Sequence, residues 1–305
     1  MKLVTYRDGV AGEGRLGVVQ DGLVIDVEYL GEAVGAALPA DMLTLIDLGP
    51  DALRAIKQAL SDTADARPAG IAVPEENVRL LAPIPRPRKN IFGIGLNYVE
   101  HVAESAKSLD TSKDLPTKPV VFSKPPTSVI ATGEPIQHNA SMTQMLDWEV
   151  ELAVIIGKRA TRISKDDAMS HVFGYSVIND VSARDNRRAG QWIFSKGQDS
   201  YCPFGPAIVT ADDIADPHDL SLWLKKNGEE KQRSNTKHLL FDIPTLIADI
   251  SSGITLEPGD IIATGTPAGV GAGRDPQEWM WPGDVIECGV DGIGVLRNPV
   301  VKIGN

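Results

Sequence analysis

In the stretch DWEVELAVIIG the glutamates Glu149 and Glu151 stand two residues apart at the head of an apolar run. Side chains alternate across a strand, so both carboxylates face the same way. Leu152 to Ile156 are apolar without alternation, which predicts a strand covered on both faces. Two like charges at its mouth repel each other unless water, a cation or a base neutralises them. A further acid, Asp180, stands in GYSVINDVSARD at the carboxyl end of a second apolar run, Tyr175 to Ile178. Glu149, Glu151 and Asp180 together form an all-oxygen ligand set with no Cys or His beside it, which matches Mg²⁺, Mn²⁺ or Ca²⁺ and disfavours zinc. The competing reading is a strand mouth with solvated acids.

GLNYVEHVAES offers a candidate base. If Tyr98 to Ser105 are helical, His101 and Glu104 lie at i and i+3 on one face, where the carboxylate can orient the imidazole for acid–base work on water. A surface His beside a surface Glu is the plainer alternative. The polar stretch that follows, KSLDTSKDLPTKP, reads as a lid or an exposed loop. Lys196, in FSKGQDSYCPFGP, could stabilise an enolate or hold a carboxylate. ATGTPAGVGAG supplies Thr264, Thr266 and a run of glycines, Gly265 among them, that lets backbone N–H groups approach a small anion. No Gly-Lys-Ser/Thr ends that run, and GIGLNY carries Tyr98 where a dinucleotide fingerprint needs its third glycine, so both nucleotide readings fall. No Gly-x-Ser-x-Gly elbow marks a serine hydrolase.

The elements that must position these groups are mostly strands. RLGVVQDGLVIDV places an Asp-Gly turn between alternating apolar runs and predicts a hairpin. DMLTLIDLGPDALRAIKQAL reads as helical, and SDTADARPAGIAVPEE as a linker, so the expected boundary lies near residue 75, between a small N-terminal domain at 1–75 and a catalytic domain at 76–305. Beyond it the chain is strand-rich, with helical segments expected at NYVEHVAESAKS and TKHLLFDIPTLIADIS. Two Pro-Gly-Asp turns, in EPGDIIATG and WPGDVIECG, each feed a short strand. Strands with few helices between them favour an α+β class over a doubly wound parallel sheet.

A chain of 305 residues with 42% hydrophobic and 23% charged content can bury a sizeable core. A net charge of −11 and a pI near 5.0 argue against phosphate backbones or anionic lipid as partners. No apolar run reaches membrane-spanning length and the start lacks a signal-peptide core, so the expected location is the cytosol. Cys202 and Cys288 read as two buried thiols in a reducing compartment.

Taken in order, GLNYVEHVAES, DWEVELAVIIGKRA, NDVSARD, SKGQDSYCPFGP and LEPGDIIATGTPAGVG closely resemble the fumarylacetoacetate hydrolase family over about residues 75–300. The resemblance implies a three-layered, β-rich fold, a Mg²⁺ or Mn²⁺ site and a homodimer. By the same resemblance Glu149, Glu151 and Asp180 are the metal ligands and His101 with Glu104 the dyad under a closing lid. Lys196 matches the family lysine, and Thr266 the threonine that helps hold a substrate carboxylate. Tyr98, Gln198 and Arg184 are candidates for the pocket or its surroundings. Two positions depart from acylpyruvase-like members: Leu96 stands where an Arg is common, and Arg187 where a Gln is common. Asn97 stands near the place where a larger relative has an additional acidic ligand, so three protein ligands are expected.

The implied substrates are diketo or 2-oxo acids from aromatic or sugar-acid catabolism, and the first expectation is hydrolysis of a C–C bond in an acylpyruvate-type acid through an enolate. Isomerase or decarboxylase action of the 2-hydroxymuconate or oxaloacetate type is the alternative on the same site. A binding protein that has lost catalysis is the alternative of another class.

Overall fold

The computed structural model describes residues 1–7, 9, 14–64, 67–68, 70–108, 114–188 and 190–304. Part of the stretch expected as a lid, residues 109–113, lies outside these, as do residues 65, 66 and 69 of the expected linker.

The fold is α+β and β-rich, built on a twelve-stranded sheet and a five-stranded sheet. The strand Val150–Ile156 is buried at every position and sits inside the large sheet. It pairs antiparallel with Val172–Asn179 on one side and Ile261–Ala263 on the other. Its two faces enter different cores, which is why its sequence does not alternate. Leu152, Val154 and Ile156 pack in one core with Leu222, Leu224, Ile286 and Leu296 of the smaller sheet and with Leu246 and Ile250 of the helix Ile243–Gly253. Ala153 and Ile155 pack in the other with Leu3, Leu16, Leu45, Ile46 and Ile56 of the N-terminal segment. The result is three layers: small sheet with helix, large sheet, and N-terminal helices.

The hairpin forms as its turn predicts. Arg15–Gln20 and Leu23–Asp26 pair across Asp21 and Gly22, both at positive φ (52° and 76°). The N-terminal strands belong to the large sheet, because Lys2–Arg7 pairs with Cys202–Thr210. A helix at Val27–Val34, not expected from the sequence, follows the hairpin; the Asp26 carboxylate accepts the Tyr29 N–H and caps it. The helical stretch after it splits into Met42–Leu48 and Pro50–Asp62, with Gly49 at φ 68° as the hinge and Pro50 as the first residue of the second helix. Val99–Ser108 and Ile243–Gly253 are helical as expected. Cys202 and Cys288 are buried and unbridged. Among the described residues no helix is long and apolar enough to cross a membrane.

Leu152 is fully buried on the face that meets the smaller sheet. Leu152→Ala should cost about 2–5 kcal/mol of stability, read from chemical denaturation; a loss below about 1 kcal/mol would mean that this strand is not the centre of the core.

Candidate functional site

Antiparallel register brings the start of one strand beside the end of its neighbour. Val150 pairs with Asn179 and the Asp180 N–H donates to the Glu149 carbonyl at 2.8 Å, so Glu149, Glu151 and Asp180 meet at one point. All three are buried, and one oxygen from each lies within 4.8 Å of the others. On the other flank Ile261–Ala263 runs parallel to Ile91–Gly95, so the segments after both strands, Thr264 to Thr266 and Leu96 to Tyr98, arrive at the same place.

Cations and backbone donors surround the acids. Lys196 Nζ donates to Glu149 Oε2 (2.8 Å), Asp180 Oδ2 (2.5 Å) and Ser182 Oγ (2.8 Å). Arg184 Nη2 lies 2.7 Å from Glu149 Oε1, and its Nε donates to Asp147 Oδ2 at 2.8 Å. Lys124, fully buried, donates to Asp180 Oδ1 at 2.5 Å and to the carbonyl of Lys196. Burial works to raise the pKa of Glu149, but Lys196 and then Arg184 outweigh it and hold that carboxylate below its ordinary range. Glu151 differs. Its Oε2 accepts the Gly265 N–H at 2.8 Å, and among the described residues it makes no ion pair. Burial first, then the charges of Asp180 and Glu149, push its pKa well above the ordinary value.

That asymmetry tests the site for a cation. Four buried carboxylates, Asp147, Glu149, Glu151 and Asp180, face three buried cations, Lys124, Arg184 and Lys196. An all-carboxylate donor set with one acid lacking a cationic partner fits a hard divalent ion.

The helix Val99–Ser108 presents the base. His101 is 5% exposed; its Nδ1 lies 3.3 Å from Glu104 Oε2, and its Nε2 3.4 Å from the buried Ser105 Oγ. Glu104 Oε1 accepts the Gly269 N–H at 3.0 Å, so the carboxylate is fixed from both ends. With Nδ1–H assigned to Glu104, Nε2 is the basic nitrogen. The glycine run does place N–H groups on anions, as the sequence implied, but these anions are the protein's own. Gly265 serves Glu151, Gly269 serves Glu104, and Gly271 with Ala272 serves Asp147.

A cavity of about 460 Å³, open to solvent, holds this chemistry. Its lining includes His101, Ser105, Glu149, Arg184, Lys196 and Thr266 beside Leu96, Arg187 and Trp192. The remaining expected residues lie elsewhere or are otherwise engaged. Tyr98 is 1% exposed with no hydrogen-bond partner for its hydroxyl among the described residues, and Gln198 donates to the Phe194 carbonyl; neither lines the cavity. Arg184 is committed to Asp147 and Glu149. The Thr266 hydroxyl donates to the Val150 carbonyl and accepts from Gln232 Nε2, both at 2.9 Å. Asn97 ties two loops together, donating to the Thr264 and Phe241 carbonyls and accepting the Phe241 N–H. Asp147, Lys124, Ser105 and Gln232 were not singled out from sequence. Asp147 had a signal, since it stands two residues before Glu149; Lys124 had none, because only strand pairing brings it here.

Residues 90–301 match the family model for the fumarylacetoacetate (FAA) hydrolase C-terminal domain. The chain belongs to the fumarylacetoacetate hydrolase family and is an enzyme of it. It is 39% identical over 306 residues to the mitochondrial oxaloacetate tautomerase fahd2 of Xenopus laevis, covering 99% of this chain and 90% of that one. It is 45% identical over 224 residues to the oxaloacetate tautomerase YisK of Bacillus subtilis, covering 73% of each. Among solved structures it resembles maleylpyruvate hydrolase from Sphingobium sp. SYK-6 in complex with manganese(II) and pyruvate, with TM-score 0.78, 31% identity and full coverage of both chains. A fumarylacetoacetate hydrolase from Exiguobacterium antarcticum gives TM-score 0.82 at 37% identity, covering 99% of this chain and 100% of that one.

The glycine run yields a test of this geometry. A Cβ at Gly271 would lie 1.9 Å from the Glu278 carbonyl oxygen and 2.6 Å from Asp147 Oδ1, whereas one at Gly253 meets nothing within 4 Å. Gly271→Ala should therefore cost about 1–3 kcal/mol while Gly253→Ala stays near neutral in chemical denaturation; equal effects would contradict the packing of Asp147 against this loop.

Proposed function

We propose that the protein is a divalent-metal-dependent tautomerase of small 2-oxo acids, interconverting the keto and enol forms of an oxaloacetate-type substrate. This reading takes the isomerase alternative ahead of C–C hydrolysis, and two supports favour it. Relatives matching along nearly the whole chain are named oxaloacetate tautomerases. The cavity offers one oriented imidazole beside a lysine, which suits moving a proton between carbon and oxygen. The observation that carries the proposal is that His101, paired with Glu104 behind it, lines the same cavity as Glu149 and Lys196.

Glu149, Glu151 and Asp180 would hold Mg²⁺ or Mn²⁺, whose Lewis acidity makes a C–H beside a 2-oxo group easier to ionise. His101 Nε2 takes the proton from the carbon next to the carbonyl as the C=C bond forms, and a proton returns to the former carbonyl oxygen. Glu104 keeps the imidazole oriented. Lys196 places positive charge where the oxygen gains electrons. Thr266 and Gly265 shape the wall and anchor Val150 and Glu151. Residues 1–75 extend the large sheet with their strands and cover it with their helices rather than catalyse: Leu45, Ile46 and Ile56 lie in its core, and among the described residues none of that segment lines the cavity. A homodimer is the proposed assembly, supported by exposed apolar side chains at Val121, Ile193, Phe194 and Ile254.

The test follows the enol absorbance of oxaloacetate with Mg²⁺ or Mn²⁺. Protein should accelerate its decay, chelation should return the decay to the uncatalysed rate, and neither pyruvate nor CO₂ should appear at a matching rate. His101→Asn should lower the rate by about a hundredfold to ten-thousandfold. Stoichiometric pyruvate from acylpyruvates, with no acceleration of tautomerisation, would overturn the reading in favour of hydrolysis.

A further inference from the structure

The Gly-x-Gly of GIGLNY has a structural use. Gly93 and Gly95 stand two apart on the strand Ile91–Gly95, so the places their side chains would take share one face. A ring lies over each. A Cβ at Gly93 would come within 2.2 Å of Phe122 Cζ, and one at Gly95 within 2.4 Å of Trp192 Cζ3, so the pair forms a flat shelf that a larger residue would fill. Phe122 and Trp192 rest on it with ring centres 5.3 Å apart and planes tilted by 51°. Lys196 Nζ lies 4.9 Å from the centre of the Phe122 ring, and the Arg187 guanidinium carbon 5.1 Å from that of Trp192. The indole is thus held by the shelf, a neighbouring ring and a guanidinium.

Its position is a boundary. Trp192 lines the cavity that holds His101, Glu149 and Lys196, and it also lines an outer groove with Val121, Phe122, Ile193 and Ile254. We propose that Trp192 is the partition between these two spaces and sets the length of chain that the cavity accepts beyond the 2-oxo acid group, which makes short 2-oxo acids the substrate class. The indole cannot swing aside without displacing Phe122 or meeting the strand at Gly95, so the limit it sets is sharp. The inference rests on the cavity being the site of a 2-oxo acid, as proposed above.

The diagnostic pair is 2-oxobutanoate and 2-oxooctanoate, which differ only by four methylene groups. Calorimetry on the Mn²⁺-loaded protein gives the ratio of their affinities. In Trp192→Ala that ratio should move toward the longer acid by about tenfold to a hundredfold relative to wild type, because chain that met the indole now finds apolar room. Trp192→Phe keeps a smaller ring on the shelf and should shift the ratio the same way by about threefold to tenfold, so it carries the test if the alanine variant does not fold. A ratio unchanged from wild type, or a uniform loss of affinity for both acids, would overturn the proposal. If wild type fails to accelerate tautomerisation of oxaloacetate while the ratio still shifts, the reaction assigned above is wrong and the role of Trp192 stands.

Discussion

The structure depends on one electrostatic arrangement: buried carboxylates from separate strand ends held together by buried cations and backbone N–H groups. In a medium of low polarisability such charges are costly alone and strongly coupled together. Glu149 and Asp180 are stabilised by Lys196, with Arg184 and Lys124 completing the set. Glu151 is left with a backbone donor and two acidic neighbours, and its raised pKa is the consequence. A divalent cation would offset that imbalance. It would also leave the centre positively charged, which suits an anionic substrate.

The sheet supplies the precision this arrangement needs. Val150–Ile156 is clamped between two cores, so it cannot slip by one residue without turning Leu152 and Val154 toward the wrong layer. That register pairs Val150 with Asn179 and so sets Asp180, the next residue, beside Glu149. The loop after Ile261–Ala263 then fastens to the same strand at Leu152, Val150 and Glu151. Core packing and site geometry are therefore the same constraint.

Much of this was legible in the sequence because the signals are local. Alternation put Glu149 and Glu151 on one side, the carboxyl end of an apolar run marked Asp180, and helical spacing paired His101 with Glu104. The same rule extended two residues back would have reached Asp147. Lys124 was not legible, since its reach to Asp180 depends on how Val120–Lys124 pairs with Ile91–Gly95. The glycine run illustrates a different limit: its composition announced anion contacts, but only the fold shows that they serve Glu104, Asp147 and Glu151. The helix Val27–Val34 was hidden because VIDVEYLGEAV continues the apolar rhythm of the hairpin, and the cap at Asp26 decides the change.

The reaction follows from site chemistry more than from fold, since one scaffold hosts cleavage and isomerisation alike. What all such reactions would share here is the proposed cation, and the raised pKa of Glu151 gives its binding a signature. An acid that holds its proton in the metal-free protein must release it to become a ligand, so affinity rises with pH until that pKa is passed. Titrating Mn²⁺ into metal-free protein over a range of pH, in two buffers of unlike ionisation heat, measures that release directly. The account predicts more proton release per ion in wild type than in Glu151→Gln. Binding with no proton release in wild type, or undiminished release in the variant, would contradict it.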